Sequence, residues 1–363
     1  MIVRILSSSN SSSTSIMDLD DASLGTILEF LPGHFRFLAS VHRRFWSLYN
    51  QHDHIPITLY IAAMTSEATL GIWLAEDRQL VTEYGCRYAA KHGKLEALQW
   101  FRSRGFRWNR DVCIEAAAGG HLHILRWARS QTPPCSWGEL VCVAAAESDQ
   151  LGALQWLRSQ TPPCPWGAWT CKAAAREGRL GVLQWLRAQT PPCPWDDRAC
   201  TDAAENGHLV VLQWLRSQTP PCPWSVWTSR AAVRTGQLGV LQWLRAQTPP
   251  CPWGDWACTD AAENGHLAVV QWLRSQTPPC PWGVWTCKAA ARTGQLGMLQ
   301  WLRAQTPPCP WGEAACTDAA ENGHLAVLQW LRSQTPPCPW NIQFCLCRAR
   351  EGSEMEVFLR SHL

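Results

Sequence analysis

The sequence predicts an all-α fold, an α-solenoid in which short helix–turn–helix repeats stack in a row. The heptapeptide Gln-Thr-Pro-Pro-Cys-Pro-Trp, as at residues 160–166, occurs seven times, and an eighth copy at residues 131–137 differs only by Ser136. A second motif, Leu-Gln-Trp-Leu-Arg with variations around Trp127 and Trp272, places a tryptophan every 29 residues from Trp127 to Trp330. The chain also holds 24 Trp and 18 Cys but only 4 Tyr and 8 Phe. Such a skew indicates one short repeat copied many times.

The N-terminal residues 1–15 are rich in serine, and we expect them to be a disordered tail. Their apolar stretch is shorter than the h-region of a secretory signal. Elsewhere no apolar run reaches the roughly 18 residues that a membrane helix needs. We therefore expect a cytoplasmic protein without membrane contact. In a reducing compartment its cysteines would mostly remain thiols.

Residues 53–363 form the repeat array, with about eleven repeats counted from Ile57. In one repeat, an Ala-rich first helix begins near Ala199 and stops at Gly207, a residue suited to the left-handed cap position. A second helix over 208–216 carries an apolar stripe. The two prolines of the heptapeptide cannot continue that helix. The heptapeptide is therefore the link between one repeat and the next.

The tryptophan of each link is expected to fold back into the groove between neighbouring repeats. One tryptophan can bury about 150–250 Å², and two short helices cannot bury their apolar faces without neighbours. The indoles should therefore hold the stack together. The structural tryptophans predicted are Trp166 and Trp195 of the links together with Trp214, Trp243, Trp272 and Trp301 of the second helices.

The core of the repeat resembles the ankyrin repeat. The matching residues are Ala203 to Leu209, read as Ala-Ala-Glu-Asn-Gly-His-Leu, followed by Val211-Leu212 and Trp214-Leu215. The period is 29 or 27 rather than 33, and Cys200-Thr201-Asp202 stands where the family has Thr-Pro-Leu-His. The resemblance implies stacked helix pairs, and the short link does not match the family's β-hairpin finger. Similar short repeats occur in ankyrin-type arrays of algae and of giant viruses that infect amoebae.

Residues 16–52 resemble an F-box, a short helical module that in its family docks on the Skp1 adaptor of cullin ubiquitin ligases. Ile27-Leu28 and Phe30-Leu31-Pro32 carry the match, with Arg43-Arg44 further on. An alternative is a helical cap that seals the first repeat. The residues that the resemblance assigns to adaptor binding are Ile27, Leu28, Leu31, Pro32, Leu38, Val41 and Trp46.

The cysteines and histidines recur with the repeat and do not form the pattern of a reactive site. The cysteines fall into a link series and a first-helix series, with none of the Cys-x-x-Cys pairs typical of zinc sites. Ser229 replaces one helix cysteine while its link neighbour Cys222 is kept. We expect small apolar packing, with redox or metal chemistry as the alternative. The histidine of Gly-His-Leu exchanges with Gln237 and Arg179, so we expect a polar helix start and no metal, cofactor or catalytic residue.

The net charge of +3 gives no broad basic field, so we expect no nucleic acid among the partners, and a monomer. One charged position alternates in sign along the array and could fix the register of the stack. Alternatively, a block of two repeats was duplicated, and the alternation of charge has no function of its own. The alternating residues are Glu147, Arg176, Glu205, Arg234, Glu263, Arg292, Glu321 and Arg350.

These features predict a protein–protein interaction scaffold and not an enzyme. The array would recruit a protein target through its concave face and links, and the F-box-like segment would deliver that target to a ubiquitin ligase. The alternative is a structural or binding array with a helical cap and no ligase. Residues 58–130 diverge most, so target contacts are expected at Phe106 and Trp108. The remaining candidate partner-binding residues are Arg176, Glu205, Arg234, Glu263, Arg292 and Glu321.

Overall fold

The computed structural model describes residues 78–363 except 104 and 106. The serine-rich tail, the F-box-like segment with all seven of its adaptor-binding residues, the start of the array and Phe106 lie outside the described residues. Those that are described form twenty α-helices and no β-strand. The predicted fold class, an all-α array of helix–turn–helix repeats, is confirmed.

The helices alternate between the first and second helix of a repeat. The earlier ones are α1 Arg78–Lys91, α2 Leu95–Ser103, α3 Asp111–Ala118, α4 Leu122–Ser130, α5 Glu139–Glu147, α6 Leu151–Ser159, α7 Ala168–Arg176, α8 Leu180–Ala188, α9 Asp197–Glu205 and α10 Leu209–Ser217. The later ones are α11 Val226–Arg234, α12 Leu238–Ala246, α13 Ala257–Glu263, α14 Leu267–Ser275, α15 Val284–Arg292, α16 Leu296–Ala304, α17 Glu313–Glu321, α18 Leu325–Ser333, α19 Ile342–Arg348 and α20 Glu354–Arg360.

The chain divides into two compact parts. The N-terminal part comprises the described residues up to Val141 together with Gly152–Cys164, and the C-terminal part comprises Cys142–Leu151 together with Pro165–Leu363. Within the C-terminal part each first helix packs on the second helix of its own repeat and on the first helices of the neighbouring repeats, as α11 does on α9, α12 and α13. Neighbouring repeats therefore share one continuous core, as expected for helices too short to fold alone.

Local hydrogen bonds determine where the first helices begin and end. The Asp196 carboxylate accepts a bond from the Arg198 amide at 3.0 Å and so caps α9. Gly207 has a φ of +76°, and the His208 amide beyond it donates to the Ala203 carbonyl at 2.8 Å. This closure needs a left-handed residue, which glycine adopts without a steric penalty.

The second helices bury one apolar stripe and stop at the link. In α10 the buried residues are Val211, Leu212 and Leu215. The Gln218 side chain donates to the Trp214 carbonyl at 3.2 Å, and the Cys222 amide reaches back to the Leu215 carbonyl at 3.0 Å. Each of the eight Thr–Pro bonds that open a link is cis. The hydrogen bond from the Cys222 amide shows that the link returns to the helix end, which brings its cysteine and tryptophan onto the repeat.

In several repeats the polar residue before the second helix forms a hydrogen bond to the preceding repeat. His266 Nε2 lies 2.9 Å from the Arg234 carbonyl, and His324 Nε2 lies 3.0 Å from the Arg292 carbonyl. Arg179, which replaces histidine in another repeat, donates from Nε to the Glu147 carbonyl at 3.2 Å. Since a last-turn carbonyl of a helix lacks an intrahelical partner, any side chain that donates a hydrogen bond at this position can satisfy it.

Two cap glycines offer a matched test of this bridge. Gly294 and Gly323 have φ values of +74° and +75°, but only at Gly294 would an added Cβ collide with a ring, 2.8 Å from His324 Nδ1. Gly323→Ala should cost about 1–2 kcal/mol from the left-handed backbone alone. Gly294→Ala should cost about 0.5–1.5 kcal/mol more, because the His324 bond is also lost. Urea denaturation measures both, and equal losses would contradict the bridge.

The alternating charges pair in some repeats and not in others. Arg176 lies 3.9 Å from Glu147, and Arg292 is paired with Glu263. The described side chains of Glu205 and Arg234 form no ion pair with each other; instead Thr235 donates from Oγ1 to the Glu205 carbonyl at 2.7 Å. Glu321 pairs with Arg348 at 3.2 Å rather than with Arg350, because α19 ends at Arg348. The regular ladder of pairs expected from the sequence is therefore incomplete.

A second alternating series, which the sequence analysis missed, lies on the same helices. Its ion pairs join each basic helix to the acidic helix that follows. They are Lys172–Asp202 at 3.5 Å, Arg230–Asp260 at 2.7 Å and Lys288–Asp318 at 3.7 Å. The carboxylates are largely buried, with side-chain exposures of 11–14%. Because basic and acidic first helices alternate, repeats two positions apart carry charged residues of the same sign at these contacts.

Candidate binding surface of arginine and tryptophan side chains

The link tryptophans lie against tryptophans of the next second helix. In the C-terminal part, Trp195 and Trp214 meet edge to face with ring centroids 6.1 Å apart. All these indoles are half-buried, and such pairs add to the energy of burial. All six predicted structural tryptophans occur in pairs of this kind. The pairs are Trp166–Trp185, Trp195–Trp214, Trp224–Trp243, Trp253–Trp272 and Trp282–Trp301.

An arginine of the preceding second helix lies over the link tryptophan from Trp195 onward. The Arg187 guanidinium lies 3.9 Å from the centroid of Trp195, and its Nη1 donates to the Cys193 carbonyl at 2.6 Å. We call the arginine and the link tryptophan beneath it a rung. The other rungs of the C-terminal part are Arg216–Trp224 at 3.9 Å, Arg245–Trp253 at 4.1 Å, Arg274–Trp282 at 3.9 Å, Arg303–Trp311 at 3.8 Å and Arg332–Trp340 at 4.3 Å.

Buried thiols form hydrogen bonds with the backbone of the link beneath the rungs. The Cys193 carbonyl that receives Arg187 also accepts a weak hydrogen bond from the Cys171 thiol at 3.8 Å. The Cys193 thiol in turn donates to the Gly167 carbonyl at 3.4 Å. A hydrogen bond with Cys193 and burial raise the pKa of the Cys171 thiol well above its usual value. The cysteines therefore act as small buried groups with hydrogen-bonded thiols.

The helix and link cysteines that meet are 22 residues apart, within one repeat, and not seven residues apart across a joint as the sequence suggested. Where Ser229 replaces the helix cysteine, its hydroxyl donates to the Pro252 carbonyl at 2.5 Å. Burial raises the pKa of the neighbouring Cys251 thiol to about 11. Serine is tolerated because its hydroxyl donates to a backbone carbonyl of the link, as the thiol of the helix cysteine does in other repeats.

These positions predict a simple pattern of thiol reactivity. All 18 cysteines are thiols outside any disulfide, and of these only Cys347 is exposed. A buried, protonated thiol is a poor nucleophile, so a thiol reagent at pH 8 should modify one cysteine per folded chain rapidly. Cys347→Ser should abolish this rapid phase, and unfolding in denaturant should release all remaining thiols. Rapid modification of several cysteines in the folded Cys347→Ser chain would contradict the buried arrangement.

The rungs lie in segments that contain no acidic residue. Between residues 167 and 340, all eleven Asp and Glu residues belong to the first helices and their flanking turns. Each second helix with its link holds one arginine and no Lys, Asp or Glu, as in residues 180–195. Among the described residues, none of the six rung arginines forms an ion pair. The six rungs therefore present a repeated, uncompensated positive charge beside half-buried indoles.

The other candidate residues lie elsewhere. Arg176, Glu205, Arg234, Glu263, Arg292 and Glu321 are at the ends of the first helices, and their role in partner binding stays a prediction. In the N-terminal part, Trp108 lies under Arg102 at 4.5 Å and meets Trp127 at 5.3 Å. It therefore occupies the place of a link tryptophan although the heptapeptide is absent there.

Sequence reasoning also missed three exposed indoles on first helices. Trp169, Trp227 and Trp285 are 52%, 56% and 64% exposed. Each stands two residues before the first-helix position of Cys or Ser in every second repeat, which is a signal that could have identified them. Lys172 lies 4.6 Å from the Trp169 ring and Arg230 lies 5.4 Å from the Trp227 ring.

In the described range of the chain, no three histidine, cysteine or carboxylate side chains gather as a metal site would require. In the same range, no helix has the length and apolarity to cross a membrane.

Comparison with known proteins gives a likeness of fold. No family model matches the chain, and no curated protein matches it. Solved structures of a pentatricopeptide repeat protein, PPR10, do match. In complex with an 18-nucleotide psaJ RNA element, PPR10 is 13% identical with a TM-score of 0.37, over 91% of this chain and 55% of that one. The structure of PPR10 from maize is 13% identical with a TM-score of 0.35, and the match covers 86% of this chain and 54% of that one. This chain spans about half the length of the proteins it matches.

The expectation that nucleic acid is not among the partners is wrong. Two of the matched structures are RNA complexes. The physical flaw lies in the use of net charge, because the value of +3 averages the first helices, which with their turns hold the acidic residues, with second helices whose charged residue is an arginine. A local field depends on where charges lie rather than on their sum.

Proposed function

We propose that the chain is a non-enzymatic binding scaffold that holds a partner of repeating structure along the rungs. The observation that supports this proposal is the uniformity of the six rungs in the C-terminal part, whose arginine-to-ring distances span only 3.8–4.3 Å. Equal sites at equal intervals bind equal features of a partner. Several weak contacts on one partner then combine through effective concentration.

Two matched triple variants test this proposal. Arg216→Gln, Arg245→Gln and Arg274→Gln together remove three rung charges, while glutamine retains a donor for the cysteine carbonyl. Arg176→Gln, Arg234→Gln and Arg292→Gln remove the same charge from the first helices. Proteins and nucleic acids that co-purify from the native cell should be lost in the rung variant and retained in the control variant. The opposite result would place binding on the first helices and overturn the proposal.

We also propose that residues 16–52 dock the scaffold on a Skp1-like adaptor and so recruit its partner to a ubiquitin ligase. The F-box-like motif with Leu31-Pro32 supports this proposal. Purified adaptor should bind the full chain, and replacing Leu31 and Pro32 should remove that binding. If residues 1–55 are instead a cap, their deletion should leave partner binding unchanged and adaptor binding absent from every form.

The buried thiols support a reducing, cytoplasmic location, and we propose a monomer.

A further inference from the structure

We infer that the partner held along the rungs is a single-stranded nucleic acid, an inference that rests on the proposed function. Each rung combines a guanidinium with a half-buried indole at 3.8–4.3 Å, and the indole keeps a minor part of its surface exposed. Surfaces that bind single strands without sequence preference pair positive charge along the backbone with aromatic rings that stack on bases. The rungs supply both groups, once per repeat.

The rung arginines lie apart from the acidic residues, and this arrangement points to an anionic partner. A rung arginine such as Arg245 bonds to a backbone carbonyl with one nitrogen, Nη1, at 3.1 Å. A guanidinium has five N–H donors in a planar fork that fits phosphate. Because no carboxylate of the described residues pairs with these arginines, a phosphate would not have to displace an internal partner. By contrast, the basic side chains of the first helices Lys172, Arg230 and Lys288 are already paired with aspartates.

The neutral residues around the rungs suit a flexible strand. The second helices expose Gln184, Gln213 and their counterparts, and the links expose threonine and proline. Amide side chains can donate to and accept from base edges. Since the repeats are nearly identical, every rung offers the same contacts, which predicts binding with little sequence preference. A duplex keeps its bases stacked inside, where the indoles cannot reach them.

The spacing of the rungs is compatible with one strand running across them. Packed helices lie about 8–10 Å apart, so successive rungs repeat at about that distance. A strand that neutralises one phosphate per rung would release counterions from six phosphates. For single strands, the logarithm of the association constant then falls against the logarithm of salt concentration with a slope of about −0.7 per phosphate.

The test is a titration of fluorescently labelled 24-nucleotide oligouridine with the full chain, read by fluorescence anisotropy at 50–200 mM salt. Six contacts predict a slope of about −4 and a loss of affinity of about 300-fold over this range. The rung triple variant should flatten the slope by about 2, and the first-helix triple variant should leave it unchanged. Replacing the same three rung residues by lysine should keep the slope, because charge is retained, and lower the affinity, because the planar contact is lost.

The outcomes separate the inference from the proposed function. Tighter binding of single-stranded RNA or DNA than of a duplex of equal length supports the inference. Equal binding of duplex or heparin would show a response to charge alone and would overturn it. If oligouridine does not bind but the rung variant still loses its cellular partners, the proposed function stands and the nucleic acid inference fails. Circular dichroism melting of each variant verifies that it is folded.

Discussion

Replacing Leu244 by alanine is expected to lower the free energy of unfolding by about 2–5 kcal/mol. The Leu244 side chain is fully buried in α12, and its carbonyl accepts the Cys251 amide at 3.0 Å. Truncation leaves a cavity between neighbouring repeats, in a fold whose stability is the sum of repeat and interface terms. Urea denaturation followed by circular dichroism measures the loss. An additional early transition is expected if the array separates at this repeat.

Gln242→Ala is the matched control for this change. Gln242 lies two residues away on the same helix and is exposed. Surface substitutions away from special features usually change stability by less than about 0.5 kcal/mol. If both variants lose equal stability, the assignment of the core face of α12 is wrong.

Replacing Trp253 by alanine is the second large effect, with an expected loss of about 2–3 kcal/mol. Truncation of a fully buried tryptophan costs about 3–5 kcal/mol, and Trp253 is half-buried. The change removes its edge-to-face contact with Trp272 at 5.9 Å and leaves the Arg245 guanidinium without the ring 4.1 Å away. Chemical denaturation measures the loss, and near-ultraviolet circular dichroism reports the altered indole environment.

Trp227→Ala removes an indole of the same size from a site that is 56% exposed, and it should cost less than about 1 kcal/mol. A double-mutant cycle between Trp253 and Trp272 should give a coupling energy of about 0.5–1.5 kcal/mol. A coupling near zero would mean that the indoles contribute by burial alone. A loss at Trp227 as large as that at Trp253 would contradict the role of the link tryptophans.

The order of helices could be predicted from the sequence because local chemistry determines it. The second helix over 208–216 is observed as Leu209–Ser217, and Gly207 ends the first helix as expected. A glycine cap and a proline pair act within a few residues of chain. The periodic tryptophans then fix where each repeat begins.

The contacts between side chains of the link and the helices could not be predicted in the same way. The thiol pairs join residues 22 apart, and Arg187 reaches a ring eight residues ahead. Both depend on the return of the link toward the helix end, which no residue pattern states. The missing Glu205–Arg234 pair and the pairing of Glu321 with Arg348 depend on side-chain positions that the sequence pattern does not give. The lack of an acidic partner for the rung arginines likewise depends on the structure, which places the acidic residues on the first helices and their turns.

The ion pairs that join Lys172 to Asp202 and Lys288 to Asp318 recur with every second repeat, and this has a consequence for the gene. Recombination that removed one repeat, residues 196–224, would bring Lys172 to a helix with Ala231 in place of its aspartate. Removal of two consecutive repeats would restore an aspartate opposite the lysine. Copies of this gene should therefore shorten and lengthen by even numbers of repeats, and odd changes should be selected against.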